Sequence, residues 1–281
     1  MGEKRSIQAV VLSDIHLGTF GCHAKELLKY LKSIRPERII LNGDIIDIWN
    51  FKKRYFPKSH LKVLKYLITL AQKGTEIIYI TGNHDELLRR FADSDMGNIH
   101  LRNQIVLDFG GTKTWIFHGD IFDASIQNAR WLAKLGGWSY DLLIWLNHYI
   151  NRLLAVFGRE KYSLSKVIKD SVKKAVKFIT DFENVAAELA IEKGYDYVIC
   201  GHIHQPQIRK VKKGRQSTVY MNSGDWVENL SALEYSNEKW SLYTHPVGKL
   251  DDENTNEDDD IIEFSPKELM DDIVEVRIKS A

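Results

Sequence analysis

Five short apolar runs recur along the 281-residue chain, and each stops abruptly at acidic, amide or imidazole residues. They precede Asp14 and His16 in "AVVLSDIHLG", Asp44 in "RIILNGDIIDIW", Asn83, His84 and Asp85 in "IIYITGNHDE", His118 in "TWIFHGD", and His202 and His204 in "YVICGHIHQP". Runs of this length, rich in Val and Ile and followed by Gly, predict buried strands that end at loops. In the last of them Gly201 allows a sharp turn and Pro206 closes the segment by withholding a ladder donor. The carboxyl ends of strands in a layered α/β sheet form the crevice where ligands bind. The pattern therefore delivers Asp, His, Asp, Asn and three more His residues to one region.

Between these runs, "CHAKELLKYLKSIRPER" and "HLKVLKYLITLAQKG" repeat apolar residues at spacings of three and four, as amphipathic crossover helices do. Strands alternating with helices predict a mainly parallel sheet. The later segments "STVYMNSGDW", "NLSALEY" and "WSLYTH" read as short strands without intervening helices, so the α/β fold is either one mixed sheet or a two-sheet sandwich, flanked by helices.

Residues 121–193 differ in character. At about 100° per residue, Leu142, Leu143, Trp145, Leu146, Tyr149, Ile150, Leu153, Leu154 and Phe157 fall on one half of a helix, and Asp141, Asn147, His148, Asn151 and Arg152 on the other. A second helix from about Leu164 carries Lys166, Lys169, Lys173, Lys174 and Lys177. Together they predict a cap with apolar and basic surface: either a packed helix pair with a solvated face, or a surface that meets acyl chains or an anionic membrane. From Leu250 onward, "LDDENTNEDDD" reads as a solvated acidic linker followed by a tail.

Composition narrows the function. A hydrophobic share of 44% and a charged share of 27% are those of an ordinary globular domain, and a net charge of +1 gives no overall pull toward nucleic acid. Cys22 and Cys200 cannot build a disulfide framework, and the amino terminus lacks an apolar stretch long enough for a signal sequence, so a cytoplasmic protein with reduced thiols is expected. Neutral imidazoles and carboxylates at fixed strand ends suit divalent ions, and the absence of thiolates from the set disfavours a structural zinc cluster.

The order D-x-H, G-D-x-x-D, G-N-H-D, H-G-D and G-H-x-H, over roughly residues 7 to 226, resembles the calcineurin-like metallophosphoesterases. Within that superfamily, "GDIIDIW", the helical insertion after "HGDIFD" and "NSGDWVENLSALEY" look most like the UDP-2,3-diacylglucosamine diphosphatases, membrane-surface hydrolases of lipid A biosynthesis. At His84 the chain follows the wider superfamily, where the lipid A enzymes often carry arginine. The resemblance implies a two-sheet sandwich with its core in residues 1–120 and 194–249, a cap at 121–193, and an acidic linker and tail at 250–281. It also implies that Asp14, His16 and His204 hold one ion, that Asn83, His118 and His202 hold the other, and that Asp44 bridges them. Mn²⁺ is the expected metal, with Fe or Zn²⁺ as alternatives. His84, oriented by Asp85, is the expected catalytic pair; Asp47 and Asp120 are expected to orient ligand imidazoles, and Asn50 and Arg89 to touch substrate. The reaction implied is hydrolysis of UDP-2,3-diacylglucosamine to UMP and 2,3-diacylglucosamine 1-phosphate at the cytoplasmic face of the inner membrane. The alternatives are cleavage of another nucleotide or phosphoester, and a non-catalytic scaffold.

Overall fold

The computed structural model describes residues 4–47, 55–125 and 164–246. The chain runs β1 (Arg5–Leu12), α1 (Ala24–Ser33), β2 (Ile34–Asn42), α2 (Lys58–Gln72), β3 (Glu76–Ile80), β4 (Asp95–Met96), β5 (Ile99–Arg102), β6 (Gln104–Phe109), β7 (Thr112–Phe117), α3 (Leu164–Glu192), β8 (Tyr197–Cys200), β9 (Gln207–Lys213), β10 (Gln216–Asn222), β11 (Ser231–Ser236) and β12 (Lys239–Thr244). The strands form two mixed sheets. A seven-stranded sheet has the order β12-β11-β1-β2-β3-β5-β4, and a five-stranded sheet has the order β6-β7-β8-β10-β9.

Residue alternation explains why the strand runs are continuously apolar. Val10, Leu12, Ile39, Leu41 and Ile77 share one buried cluster with Leu27 and Leu31 of α1 and with Val63 and Leu67 of α2. The opposite faces of the same strands send Ala9, Val11, Ile40, Ile78 and Ile80 into a second cluster, where they meet Ile116, Ile199 and Met221 of the other sheet. A sheet covered on both faces has no polar side to alternate with. The parallel pairs β1–β2, β2–β3 and β7–β8 point their carboxyl ends the same way, which is what gathers the polar residues that follow them.

The first crossover helix is shorter than its sequence pattern. Helix α1 stops at Ser33, and "IRPER" opens β2, with Ile34 opposite Arg5 and Pro36 opposite Ile7. Proline cannot continue a helix, and the residue before it is driven toward extended backbone. Pattern reading also passed over the β6–β7 hairpin, whose turn Gly110-Gly111 has positive φ at both residues as tight hairpin turns require.

The chain divides into two compact units, residues 1–120 with 189–281, and residues 121–188. In the second, α3 buries Phe182, Ala186 and Ala187, and the Phe182 ring meets Phe122 edge to face at 5.5 Å. The helix expected over Leu142–Phe157, the side chains of Lys166 to Lys174, Asn50 and the acidic run after Leu250 lie outside the described residues. Among the described residues no helix is long and apolar enough to cross a membrane.

Candidate metal centre

Each polar cluster begins one to three residues past a strand end, and in three of the five the backbone adopts a geometry that few residues tolerate. Of nine non-glycine residues with positive φ among the described residues, five are Asp14, His16, Asp44, His202 and His204, with φ between 51° and 68°. The left-handed conformation costs an L-residue about 1–2 kcal/mol, and such strain concentrates where a site needs a particular side-chain direction. Backbone bonds between the loops over-determine it: Asp14 N–H donates to Gly43 C=O at 3.0 Å, His16 N–H to Asp44 C=O at 2.9 Å, and Gly201 N–H to His118 C=O at 2.9 Å. Two buried amides add to this stitching, Asn42 donating to Phe117 C=O at 3.1 Å and Asn222 to Gly201 C=O at 2.8 Å.

The structure brings these side chains into three interlocked groups: Asp14, His16 and His204; His16, Asp44 and His84; and Asp44, His118 and His202. Within each group the candidate donor atoms lie within 4.8 Å of one another. His16 and Asp44 each belong to two groups, so the three form one continuous centre. Asn83 lies in the same loop as His84, whose N–H donates to Asp44 Oδ1 at 2.8 Å. The carboxylates line the floor, with Asp14 fully buried and Asp44 2% exposed, whereas the His84 and His204 side chains are about a third exposed at the mouth.

The donor set fits a cation on three observations. Asp14 Oδ1 and His118 Nε2 are buried without a hydrogen-bond partner, although each faces an opposite group, His204 Nε2 at 3.2 Å and Asp44 Oδ2 at 3.4 Å. The His118 ring donates from Nδ1 to Asn42 C=O at 2.9 Å, which fixes the ring with Nε2 turned inward toward Asp44. Burial penalises charge on all four groups, yet the two carboxylates win: Asp44 lifts His118 to about 10, Asp14 lifts His204 to about 9, and both aspartates stay well below the ordinary carboxylate range. Two buried anions that hold protons on neighbouring imidazoles are sites where divalent cations can supply the same positive charge.

One expectation is corrected. Asp85 does not orient His84; it is fully buried and accepts from Gly82 N–H at 2.5 Å, Ile45 N–H at 3.0 Å and Tyr79 Oη–H at 2.6 Å. It ties the Gly82–Asp85 loop to the Gly43–Ile45 loop, and burial together with the Asp44 charge raises its pKa. The carboxylate that faces the His84 Nδ1 atom is Asp47, whose Oδ2 lies 3.3 Å from it and 4.0 Å from His16 Nδ1. That contact, against the cost of burial, raises the His84 pKa. Asp120 accepts a hydrogen bond from Arg89 Nη2, so Arg89 is held next to the strand end that carries His118.

Sequence reasoning missed Asp225 and Asn229. Asp225 is fully buried in "SGDWVEN", accepts from Val227 N–H at 2.8 Å and Asn229 N–H at 3.1 Å, and places Oδ2 3.6 Å from His204 Nδ1. Asn229 Nδ2 bridges Asp225 Oδ2 at 2.6 Å and His204 C=O at 3.0 Å. The available signal was a Gly-Asp pair ending an apolar run, the same signature as at Asp44 and Asp120.

This fold and site are those of a metal-dependent phosphoesterase, and the comparison with known families agrees. Residues 7–206 match the family described as Calcineurin-like phosphoesterase, and the chain belongs to it. It is a metal-dependent hydrolase, and membership implies a dinuclear divalent metal site. More particularly, the chain is similar to curated proteins named UDP-2,3-diacylglucosamine hydrolase: 27% identical to one from Aliivibrio fischeri over 83% of this chain and 96% of that protein, and 28% identical to one from Photorhabdus laumondii subsp. laumondii over 84% and 98%. A solved archaeal phosphodiesterase aligns with 84% of the chain at 15% identity and a TM-score of 0.41.

Proposed function

We propose that this chain hydrolyses the pyrophosphate bond of UDP-2,3-diacylglucosamine to UMP and 2,3-diacylglucosamine 1-phosphate. The observation that carries a phosphohydrolase is the interlocking of the three donor groups through His16 and Asp44. The named relatives, aligned over nearly their full length, support this substrate. Asp14, His16 and His204 would hold one ion, Asn83, His118 and His202 the other, and Asp44 both. Mixed nitrogen and oxygen donors without thiolate suit Mn²⁺.

When bound, a pair of divalent ions polarises the phosphoryl oxygens and the attacking water. The chain's residues do the rest. Asp14 and Asp44 fix the charge at the floor, and His84 stands at the mouth with its ring held toward Asp47. Water adds across the P–O–P bridge: its oxygen stays on the attacked phosphorus, and the bridging oxygen leaves with the other phosphate. A protonated His84 would stabilise that departing oxygen or give it a proton. Replacing His84 with Ala is expected to lower turnover about a hundredfold with metal content unchanged; an unchanged rate removes it from the mechanism. Arg89, braced by Asp120, is proposed as a phosphate contact, and Asn50 as a further substrate contact. The insertion at 121–193 leaves the core directly after His118 and Asp120, and we assign it to the acyl chains at a membrane surface.

Asp225 is proposed to keep the His204 ring in its donor orientation, since carboxylates behind ligating imidazoles tune metal affinity about 10–100-fold. Asp225→Ala is therefore expected to weaken divalent-metal binding by that factor in a calorimetric titration and, because Val227 N–H and Asn229 lose their buried acceptor, to lower the thermal stability of the apo-protein as well; unaltered metal affinity in the folded variant refutes the role. The function itself is tested by ³¹P NMR of Mn²⁺-loaded protein with UDP-2,3-diacylglucosamine, bis-(p-nitrophenyl) phosphate and UDP-N-acetylglucosamine. Metal-dependent UMP from the acylated substrate alone establishes the reading. Cleavage of the soluble esters instead keeps the chemistry and discards the lipid.

A further inference from the structure

We infer that the acidic run Asp251–Asp260 docks in cis on the basic edge of the five-stranded sheet. Strand β9 is that sheet's outer strand, paired on one side only, to β10. Within it and the turn beyond, Arg209, Lys210, Lys212, Lys213 and Arg215 fall in seven residues that contain no acid, in a chain whose net charge is only +1. Lys213 pairs with Glu192 at 3.1 Å, whereas Lys210, Lys212 and Arg215 are exposed and meet no carboxylate among the described residues. Lysines on an edge discourage strand pairing between molecules. That role requires one or two charges and does not account for a run that continues through the turn.

The occupant follows from where the chain leaves the sheets. Strand β12 ends at Thr244 opposite Ser231, the Ser231 hydroxyl donates to Ser223 C=O at 2.7 Å, and the neighbouring Asn222 is paired with Gln207, the first residue of β9. The exit therefore lies at the Gln207 end of the basic strand. Residues 247–250 span up to about 14 Å when extended, and the ten residues after them can cover the roughly 20 Å length of β9. That run carries Asp251, Asp252, Glu253, Glu257, Asp258, Asp259 and Asp260, more carboxylates than the exposed cations Lys210, Lys212 and Arg215 need. A tether this short keeps the acids at an effective concentration of about millimolar at the strand. The docked run would screen a basic edge that begins three residues after His204.

Zero-length carbodiimide cross-linking of the full chain, read by mass spectrometry on the monomer fraction, tests this. Lys213 and Glu192 provide an internal standard because their contact belongs to the fold. Amides joining Lys210 or Lys212 to carboxylates of 251–260 are expected at low salt. Their yield should fall about fivefold or more in 1 M NaCl, where screening extends only about 3 Å. A Lys210→Glu, Lys212→Gln variant should lose them and keep the Lys213–Glu192 product. That product alone, or tail products confined to a dimer fraction, overturns cis docking. So does the absence of tail products from a full chain that sediments with phosphatidylglycerol vesicles, which would assign the edge to a lipid surface.

Discussion

Asp44→Asn is expected to lower turnover by about three orders of magnitude and to strip divalent metal from both halves of the centre. Asp44 is the only carboxylate in two of the three donor groups, facing His118 on one side and His16 and His84 on the other. The substitution keeps the side-chain volume and the acceptor oxygen that receives His84 N–H, so the loss would come from charge. A single negative charge shared by two ions is worth several kcal/mol at a transition state rich in anionic oxygen, and about 4 kcal/mol corresponds to three decades in rate. Metal content after dialysis, measured beside kcat on a generic phosphodiester, checks it. Two bound ions and a turnover within tenfold of wild type would mean that Asp44 does not bridge.

The second large effect concerns packing. Gly82→Ala is expected to destabilise the fold by about 2–3 kcal/mol and to weaken metal binding together with it. A Cβ at position 82 would collide with the Asp44 carboxylate and its backbone N–H, and neither can yield, because Asp44 is held at positive φ within a buried loop. Gly74→Ala provides the contrast. There φ is +99° but a Cβ meets nothing, so only the backbone cost of about 1–2 kcal/mol applies and metal binding should be untouched. Urea unfolding of both variants, with and without Mn²⁺, separates the two mechanisms. Equal stabilities, or normal metal affinity in Gly82→Ala, would show that the loops accommodate the methyl group.

The helix limit at Ser33 shows where sequence reading ran out. Apolar spacing continued through "IRPER", but Pro36 and the pairing of Ile34 with Arg5 turned those residues into strand. Runs such as Val10–Leu12 and Ile39–Leu41 were legible because burial on both faces leaves no polar interruption. The donors were legible for a related reason: a polar residue directly after such a run has no place in the core, and parallel pairing lines the run ends up. What sequence could not supply was direction. "GNHDE" places His84 and Asp85 side by side, yet strand-end geometry turns Asp85 inward to Tyr79 and leaves His84 facing Asp47. Asp225 is distant from His204 in sequence, and only the β10–β11 connection brings its carboxylate behind the ring. In the same way, the role of Asn42 depends on where β7 ends, which no local pattern records.

Seven side chains from five strand ends are proposed to hold two metal ions around one aspartate. Anomalous diffraction from crystals grown with Mn²⁺ would locate those ions. Two peaks per chain about 3.5–4 Å apart are expected, one beside Asp14, His16 and His204, one beside Asn83, His118 and His202, with Asp44 touching both. A single peak, or a pair that leaves Asp44 or His118 without a metal contact, would contradict it.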